Sequence, residues 1–253
     1  MHINLTHNNK SFQCDLQSPI DISIPLVPGS ETVNCFYAPL LEVSPVIAGD
    51  FIGSTESGGP VNFMNVQLNP HGNGTHTECV GHIAQERFTI NQCLKAFHFF
   101  ATLITIQPMK LENGDLVIMP EQLKAVLGDA ITEALIIRTL PNDQSKLKRH
   151  YSGKNPPYFH PKAIELLVQK GVQHLLTDLP SVDREQDEGK LLSHKSFWQY
   201  PEDIRKSSTI TEFIFVAPEI KDGLYFLNIQ ITSLEIDASP SKPVIYSLKE
   251  NNT

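Results

Sequence analysis

Residues 69 to 83, NPHGNGTHTECVGHI, gather three histidines, a carboxylate, a thiol and three glycines into one short window. Imidazole and carboxylate together are a donor set that suits Zn²⁺, Mn²⁺ or Fe²⁺. His76 and Glu78 stand two apart, so on an extended backbone both project to the same side and can reach one ion. His71 lies five residues before His76, across Gly72 and Gly74. Glycine admits a tight, positive-φ path that would fold His71 back toward His76. His82 follows Glu78 by four, and on a helical turn starting near Glu78 the two share a face. A histidine beside an activated water is well placed to move a proton. Cys79 points away from Glu78 on either backbone and reads as packing, with thiolate ligation the minor option. Taken singly, each histidine is as readily a hydrogen-bonded or surface residue, and each glycine a turn residue. Spacing alone therefore leaves open both a metal site and a set of histidines that merely cap turns.

The elements that must position these residues read as a mixed α/β pattern with more strands than helices. PIDISIP (19–25) alternates apolar and polar positions as a strand does, and VNFMNVQL (61–68) is a second strand leading into the histidine stretch. FHFFATLITI (97–106) is aromatic and β-branched, the composition of a buried strand. MPEQLKAVLGD (119–129) opens on Pro120 and can end at Gly128, so it reads as a helix, followed by the strand EALIIRTL (133–140). PKAIELLVQKG (161–171) repeats this grammar from Pro161 to Gly171, with the strand VQHLLTDL (172–179) after it. TITEFIFV (209–216), LYFLNIQIT (224–232) and PVIYSL (243–248) complete the strands. No repeat or long linker divides the chain, so residues 1–253 read as one domain.

Composition narrows the function classes. The chain has 253 residues, 40% of them hydrophobic, and a net charge of -8. Gripping nucleic acid or an anionic membrane needs a concentrated basic surface, and the longest basic cluster is KLKR (146–149), which reads as a solvated loop or helix end. Four cysteines without CxxC spacing point to a reduced, cytoplasmic setting. The polar opening MHINLTHNNKSFQ has no signal-peptide core, and no apolar run reaches membrane-spanning length. There is no G-x-S-x-G nucleophile elbow and no phosphate-binding G-x-x-x-x-G-K-[ST] loop.

GTHTECVGH (74–82) resembles the central motif of the cyclase-like metal-dependent hydrolases, a family that includes bacterial kynurenine formamidases and isatin hydrolases. The six-residue interval from His76 to His82 is that of the family. PIDISIPL (19–26), GVQHLLTDLPSVD (171–183) and the pair LLSHKSFW with TITEFIFV are similar to further family segments, so the likeness covers most of the chain. Three departures stand out: Glu78 replaces an aspartate, one extra residue separates His71 from His76, and the motif proline is absent.

The resemblance implies a swivelling β/β/α-type domain with a mixed sheet core and a few short helices. It implies His71, His76, Glu78, His194 and Glu212 as ligands of a divalent metal, zinc or manganese, as one or two ions, with Glu78 able to bridge. His82 becomes the general acid/base of a hydrolase acting on an amide or cyclic C–N bond, such as an N-formyl arylamine or a lactam. It further implies a small-molecule substrate and a homo-oligomer. Glu212 also fits the wet face of a strand, although on the inner face it would need a cation or strong hydrogen bonds to offset desolvation. Loops 33–39, 150–160 and 182–194 could shape a pocket or serve as ordinary surface, the last as a mobile lid. Phe36, Tyr37 and Trp198 are the substrate-pocket candidates. His2, His7, His98, His150, His160 and His174 read as structural or exposed. The rival to a hydrolase is a non-catalytic metal- or small-molecule-binding protein on the same scaffold.

Overall fold

A computed structural model describes residues 1–251. β1 (His2–His7) and β2 (Lys10–Asp15) form an antiparallel hairpin in the polar opening segment. β3 (His76–Glu78) lies in the histidine stretch, and β4 (His98–Ile106), β5 (Ala134–Thr139) and β6 (His174–Thr177) follow. β7 (Thr209–Glu212), β8 (Gly223–Ile231) and β9 (Ala238–Glu250) complete the main sheet. The helices are short: α1 (Pro70–Asn73), α2 (Ile90–Cys93), α3 (Pro120–Leu127), α4 (Pro161–Gln169) and α5 (Leu192–Trp198).

Hydrogen bonding orders the sheet β1-β2-β9-β8-β4-β5-β6-β7-β3, and the first residues of β9 pair back onto β3. That pairing closes β3, β7, β6, β5, β4, β8 and β9 into a barrel. β4, β5, β6 and β7 run parallel, whereas β8, β9 and β3 are antiparallel to their neighbours. The fold is the mixed-sheet, swivelling β/β/α-type architecture expected from sequence.

β5 shows why its run is apolar without alternation. Leu135 and Ile137 pack with Leu123, Ile164 and Phe197 of α3, α4 and α5 on one face. Ala134 and Ile136 face a second core with Leu103, Leu227 and Ile245. Both faces are dry, as in other parallel sheets covered on two sides. α4 buries Ala163, Ile164 and Leu167 through the helical repeat, and each of the larger two contributes roughly 1.5–3 kcal/mol.

Four expectations need correcting. The early strand shrinks to Ile20–Asp21 with a single bridge at Ser23. Residues 61–68 do not join the main sheet: Met64–Gln67 pairs with Glu42–Pro45 as a separate ribbon. The strand from 209 stops at Glu212, because Phe213 takes a left-handed φ of +57° that breaks the pleat. The strand read at 243–248 extends over Ala238–Glu250 and performs the barrel closure. Among the described residues, no helix is long and apolar enough to cross a membrane.

The KLKR segment is not simply solvated. Lys146 is buried in a 3₁₀ turn, with Nζ 2.7 Å from Asp178 Oδ2 and donating to the Thr139 carbonyl at 2.7 Å. Asp178 also accepts from the Thr139 N–H at 2.8 Å. Burial pushes the Asp178 carboxyl up from its ordinary range even beside Lys146. A buried pair of this kind adds little net stability, but removing one partner strands the other charge. Lys146→Met is therefore expected to lower unfolding free energy by about 3–5 kcal/mol, measured by denaturant titration, and a loss within experimental error would contradict this.

Candidate metal centre

The centre begins at Asn69, whose side chain accepts from the Gly72 N–H at 3.0 Å and starts α1, with Pro70 in its first turn. Gly72 and Gly74 serve close approach here rather than a positive-φ path. A Cβ on Gly72 would lie 2.2 Å from the Ala38 Cβ, and one on Gly74 would lie 2.7 Å from Leu26 Cδ2. Gly74 is extended, with φ 160° and ψ -161°. The chain then enters β3, where alternation sends His76 and Glu78 to one side. Thr77 faces the other way and shares a hydrogen bond with Thr211 at 2.8 Å.

Strand register supplies the distant carboxylate. Glu212 of β7 stands directly opposite His76, and their side chains meet with Oε2 3.5 Å from Nε2. Glu212 is buried on the inner face, where its Oε1 accepts from the Val182 N–H at 3.0 Å. His194 arrives on α5. Asp183 accepts from the N–H groups of Ser193 at 2.7 Å and His194 at 3.1 Å, so it fastens the helix start. It also contacts His194 Nδ1 at 2.7 Å, and His194 Nε2 then sits 3.2 Å from Glu78 Oε1.

Each of three imidazoles has one nitrogen held from outside and the other turned toward Glu78 or Glu212. His71 Nε2 meets Asp237 Oδ2 at 2.8 Å while Nδ1 faces Glu78 Oε2 at 3.1 Å. His76 Nδ1 meets the Gly74 carbonyl at 3.0 Å while Nε2 faces Glu212. His194 is held by Asp183 as described. An outer acceptor that fixes the imidazole tautomer is the usual support of a metal-binding histidine. His76 Nε2, Glu78 Oε1, Glu78 Oε2 and His194 Nε2 are buried and make no hydrogen bond. Orphaned polar atoms in such a place cost free energy unless a further partner satisfies them. Their donor chemistry fits a divalent cation.

Electrostatics agree with the geometry. Burial alone would raise the Glu78 carboxyl, but His82, His194 and His71 around it hold it well below the ordinary range. Burial disfavours charge on His71, yet Asp237 and Glu78 raise it to about 10. His194 is raised to about 10 in the same way, burial being outweighed by Asp183 and Glu78. Asp237 is held below the usual carboxylate range by His71 and His82.

The structure thus brings His71, His76, Glu78, His194 and Glu212 together, with His82 at the edge. His82 ends a 3₁₀ turn, Val80–His82, and places Nδ1 3.8 Å from Glu78 Oε2 and 3.4 Å from Asp237 Oδ2. Cys79 is fully buried and packs in the core with Cys93 and Ile90. A cavity of about 540 Å³ opens over the cluster and is lined by His71, His82, His194 and Glu212.

Phe36 and Tyr37 form part of the cavity rim. Both have φ +53°, a left-handed conformation that costs an L-residue about 1–2 kcal/mol. Trp198 is misplaced by the sequence reading: it is fully buried and lies off the cavity wall. Its indole donates to the Ser208 carbonyl and stacks on His194 at 5.6 Å between centroids, so it backs the imidazole instead of meeting solvent. Arg184, Glu185, Asp187 and Leu191 line the cavity, in a segment tied down by Arg184 on Asp115 at 3.2 Å and by Glu185 accepting from the Gly153 N–H at 2.7 Å. Asp183 and Asp237 were missed as site residues. Asp183 lies in a segment that carries the resemblance, whereas Asp237 has no local signal and is found only through the closing strand.

The sequence matches the Cyclase family model over residues 15–184, a span that holds the first histidine cluster and ends before His194 and Glu212. No curated protein matches it significantly. Among solved structures, one described as a potential metal-dependent hydrolase with cyclase activity superposes with a TM-score of 0.65 at 15% identity, over 90% of this chain and 97% of that one. An isatin hydrolase bound to the product analogue thioisatinate gives 0.60 at 18% identity, over 92% and 93%. Isatin hydrolase A from Ralstonia solanacearum gives 0.66 at 12% identity, over 90% and 91%. At such identities the likeness is one of fold.

With their pKa raised to about 10, His71 and His194 are protonated in the metal-free centre at neutral pH. A cation must displace those protons, so binding of Zn²⁺ at pH 7 is expected to release about two protons per site. Affinity then climbs as pH rises toward about 10 and falls in acid. Calorimetry in buffers of different ionisation enthalpy measures the release, and a value of zero would contradict the assignment.

Proposed function

The chain belongs to the Cyclase family, and on that premise we propose that it is a metal-dependent hydrolase of an amide or cyclic C–N bond. The observation that carries this reading is the set of four buried donor atoms on His76, Glu78 and His194 that lack hydrogen-bond partners. His71, His76, Glu78, His194 and Glu212 would hold the cation, zinc or manganese. Glu78 turns one oxygen to His194 and the other to His71, which suits either one ion or a bridge between two. A divalent cation in this position would supply Lewis acidity, lowering the pKa of water toward neutrality and polarising a substrate carbonyl.

The protein's own groups do the rest. His82 is the one imidazole of the cluster at the cavity edge whose contacts leave it available for proton transfer. It takes a proton from the attacking water and delivers it to the leaving nitrogen, which lets one group act first as base and then as acid. Outer partners Asp183 and the Gly74 carbonyl hold His194 and His76 in fixed tautomers, so the ligands need not reorganise during turnover. The rim of Phe36, Tyr37 and Pro39 gives the cavity an apolar wall that limits water around the bond being cut.

A cavity of about 540 Å³ accommodates a small aromatic molecule. An N-formyl arylamine or a lactam is the substrate class this reading favours, supported by that size and by the isatin hydrolases among the structural neighbours. The family resemblance extends the proposal to a homo-oligomer, and the four free cysteines extend it to a reduced, cytoplasmic setting.

Protein reconstituted with Zn²⁺ or Mn²⁺ should hydrolyse at least one of N-formylaniline, isatin and p-nitrophenyl acetate, read by direct product detection. Hydrolysis of none would overturn the reading. His82→Ala should lower kcat on the active substrate by about 10²–10⁴-fold while metal content stays at the wild-type level. Full activity in that variant would remove His82 from the chemistry.

A further inference from the structure

Barrel closure delivers a carboxylate that the histidine stretch does not itself contain. Asp237 immediately precedes β9, and its Oδ2 lies 2.8 Å from His71 Nε2 and 3.4 Å from His82 Nδ1. The backbone fixes this placement at three points. The Asp237 carbonyl accepts from the Cys79 N–H at 3.0 Å, and Ala238 stands opposite Glu78 in the strand register. The Ile236 carbonyl accepts from the Ile90 N–H at 2.8 Å. Glu235 accepts from Thr89 Oγ1 at 2.8 Å and Asn91 Nδ2 at 2.6 Å.

The approach also depends on Gly81. A Cβ there would lie 2.1 Å from the Phe88 carbonyl oxygen and 3.2 Å from the Asp237 Cβ. The first contact is with backbone and cannot be relieved by a side-chain rotation, so only glycine lets these segments meet.

Two roles are open to a carboxylate at this spot: ligand of a second ion, or hydrogen-bond acceptor. Two donors on one tetrahedral ion, each at zinc bond length, stand about 3.3 Å apart. The 2.8 Å separation from His71 Nε2 is shorter and has hydrogen-bond geometry, the length of a charge-assisted N–H···O bond. We propose that Asp237 is a positioning residue shared by two imidazoles. It accepts the Nε2–H of His71, which leaves the Nδ1 lone pair facing the Glu78 side of the centre. It also accepts the Nδ1–H of His82, which leaves Nε2 as the nitrogen free to exchange a proton. One carboxylate thereby sets the tautomer of a metal ligand and of the acid/base together. The His82 half rests on the hydrolase reading, whereas the His71 half concerns metal affinity alone and stands without it.

The test uses Asp237→Asn in the full chain, with Zn²⁺ affinity and stoichiometry measured by competition against a chromophoric chelator. Affinity should fall about 10–100-fold with stoichiometry unchanged, and His82→Ala should keep wild-type affinity. Unchanged affinity in Asp237→Asn overturns the proposal. So does loss of one zinc equivalent, which would make Asp237 a ligand, or loss of zinc in His82→Ala. Asp237→Ala removes the acceptor without adding a donor; it must show the same pattern and serves alone if the amide variant does not fold. On a hydrolysed substrate assayed at saturating Zn²⁺, kcat of the double variant Asp237→Asn/His82→Ala should equal that of His82→Ala, because with the metal site filled Asp237 acts on turnover through His82. Independent, multiplying losses overturn the His82 half. Absence of hydrolysis with the zinc pattern intact counts against the hydrolase reading alone.

Discussion

A fully buried carboxylate governs this structure. Glu78 has no solvent contact, no hydrogen bond from the backbone, and no lysine or arginine beside it. An isolated carboxylate in such surroundings would be strongly destabilising or would take up a proton. Instead, three imidazoles converge on it and favour its charged form. The outward nitrogens of His71 and His194 are engaged in turn by Asp237 and Asp183, and His82 Nδ1 lies 3.4 Å from Asp237. The centre is thus a nest of alternating charge whose innermost atoms remain unsatisfied. A divalent cation completes the pattern, because it can take lone pairs from several of these atoms at once.

The barrel exists around that requirement. β3 is only three residues long, yet it pairs on both sides, with β7 carrying Glu212 and with the start of β9 just after Asp237. Register shifts by one residue would turn His76 and Glu78 to the opposite face. Double-sided pairing, together with the Thr77–Thr211 hydrogen bond behind it, prevents such a slip. α5 performs the same service for His194, with Asp183 at its start and the Trp198 indole stacked behind the imidazole. Ligands built on paired strands and a fastened helix are held more rigidly than ligands on free loops.

Much of this was legible in the sequence, and the gaps have physical causes. His76 and Glu78 could be paired because the period of an extended chain is local, and α3 and α4 could be bounded because proline and glycine mark their ends. β5 was readable from composition because both of its faces are buried, and β4 because its aromatic and β-branched run supplies the buried Phe99, Leu103, Ile104 and Ile106. The path at Gly72 and Gly74 was misread because close packing and positive φ both select glycine. Trp198 was assigned to the pocket on residue type, while its depth depends on how α5 docks. Lys146 looked solvated because its partner, Asp178, lies on another element. Asp237 left no trace because its role depends on a closure between segments far apart in sequence. Local patterns announce donors and element ends; contacts made by barrel closure appear only in the folded chain.

The most direct measurement is an anomalous difference map at the zinc edge from crystals of the Zn²⁺-loaded protein. The account predicts a peak bonded to Glu78 and to the inward nitrogens of His76 and His194. A zinc peak at any other place, with these atoms still unpartnered, would contradict it.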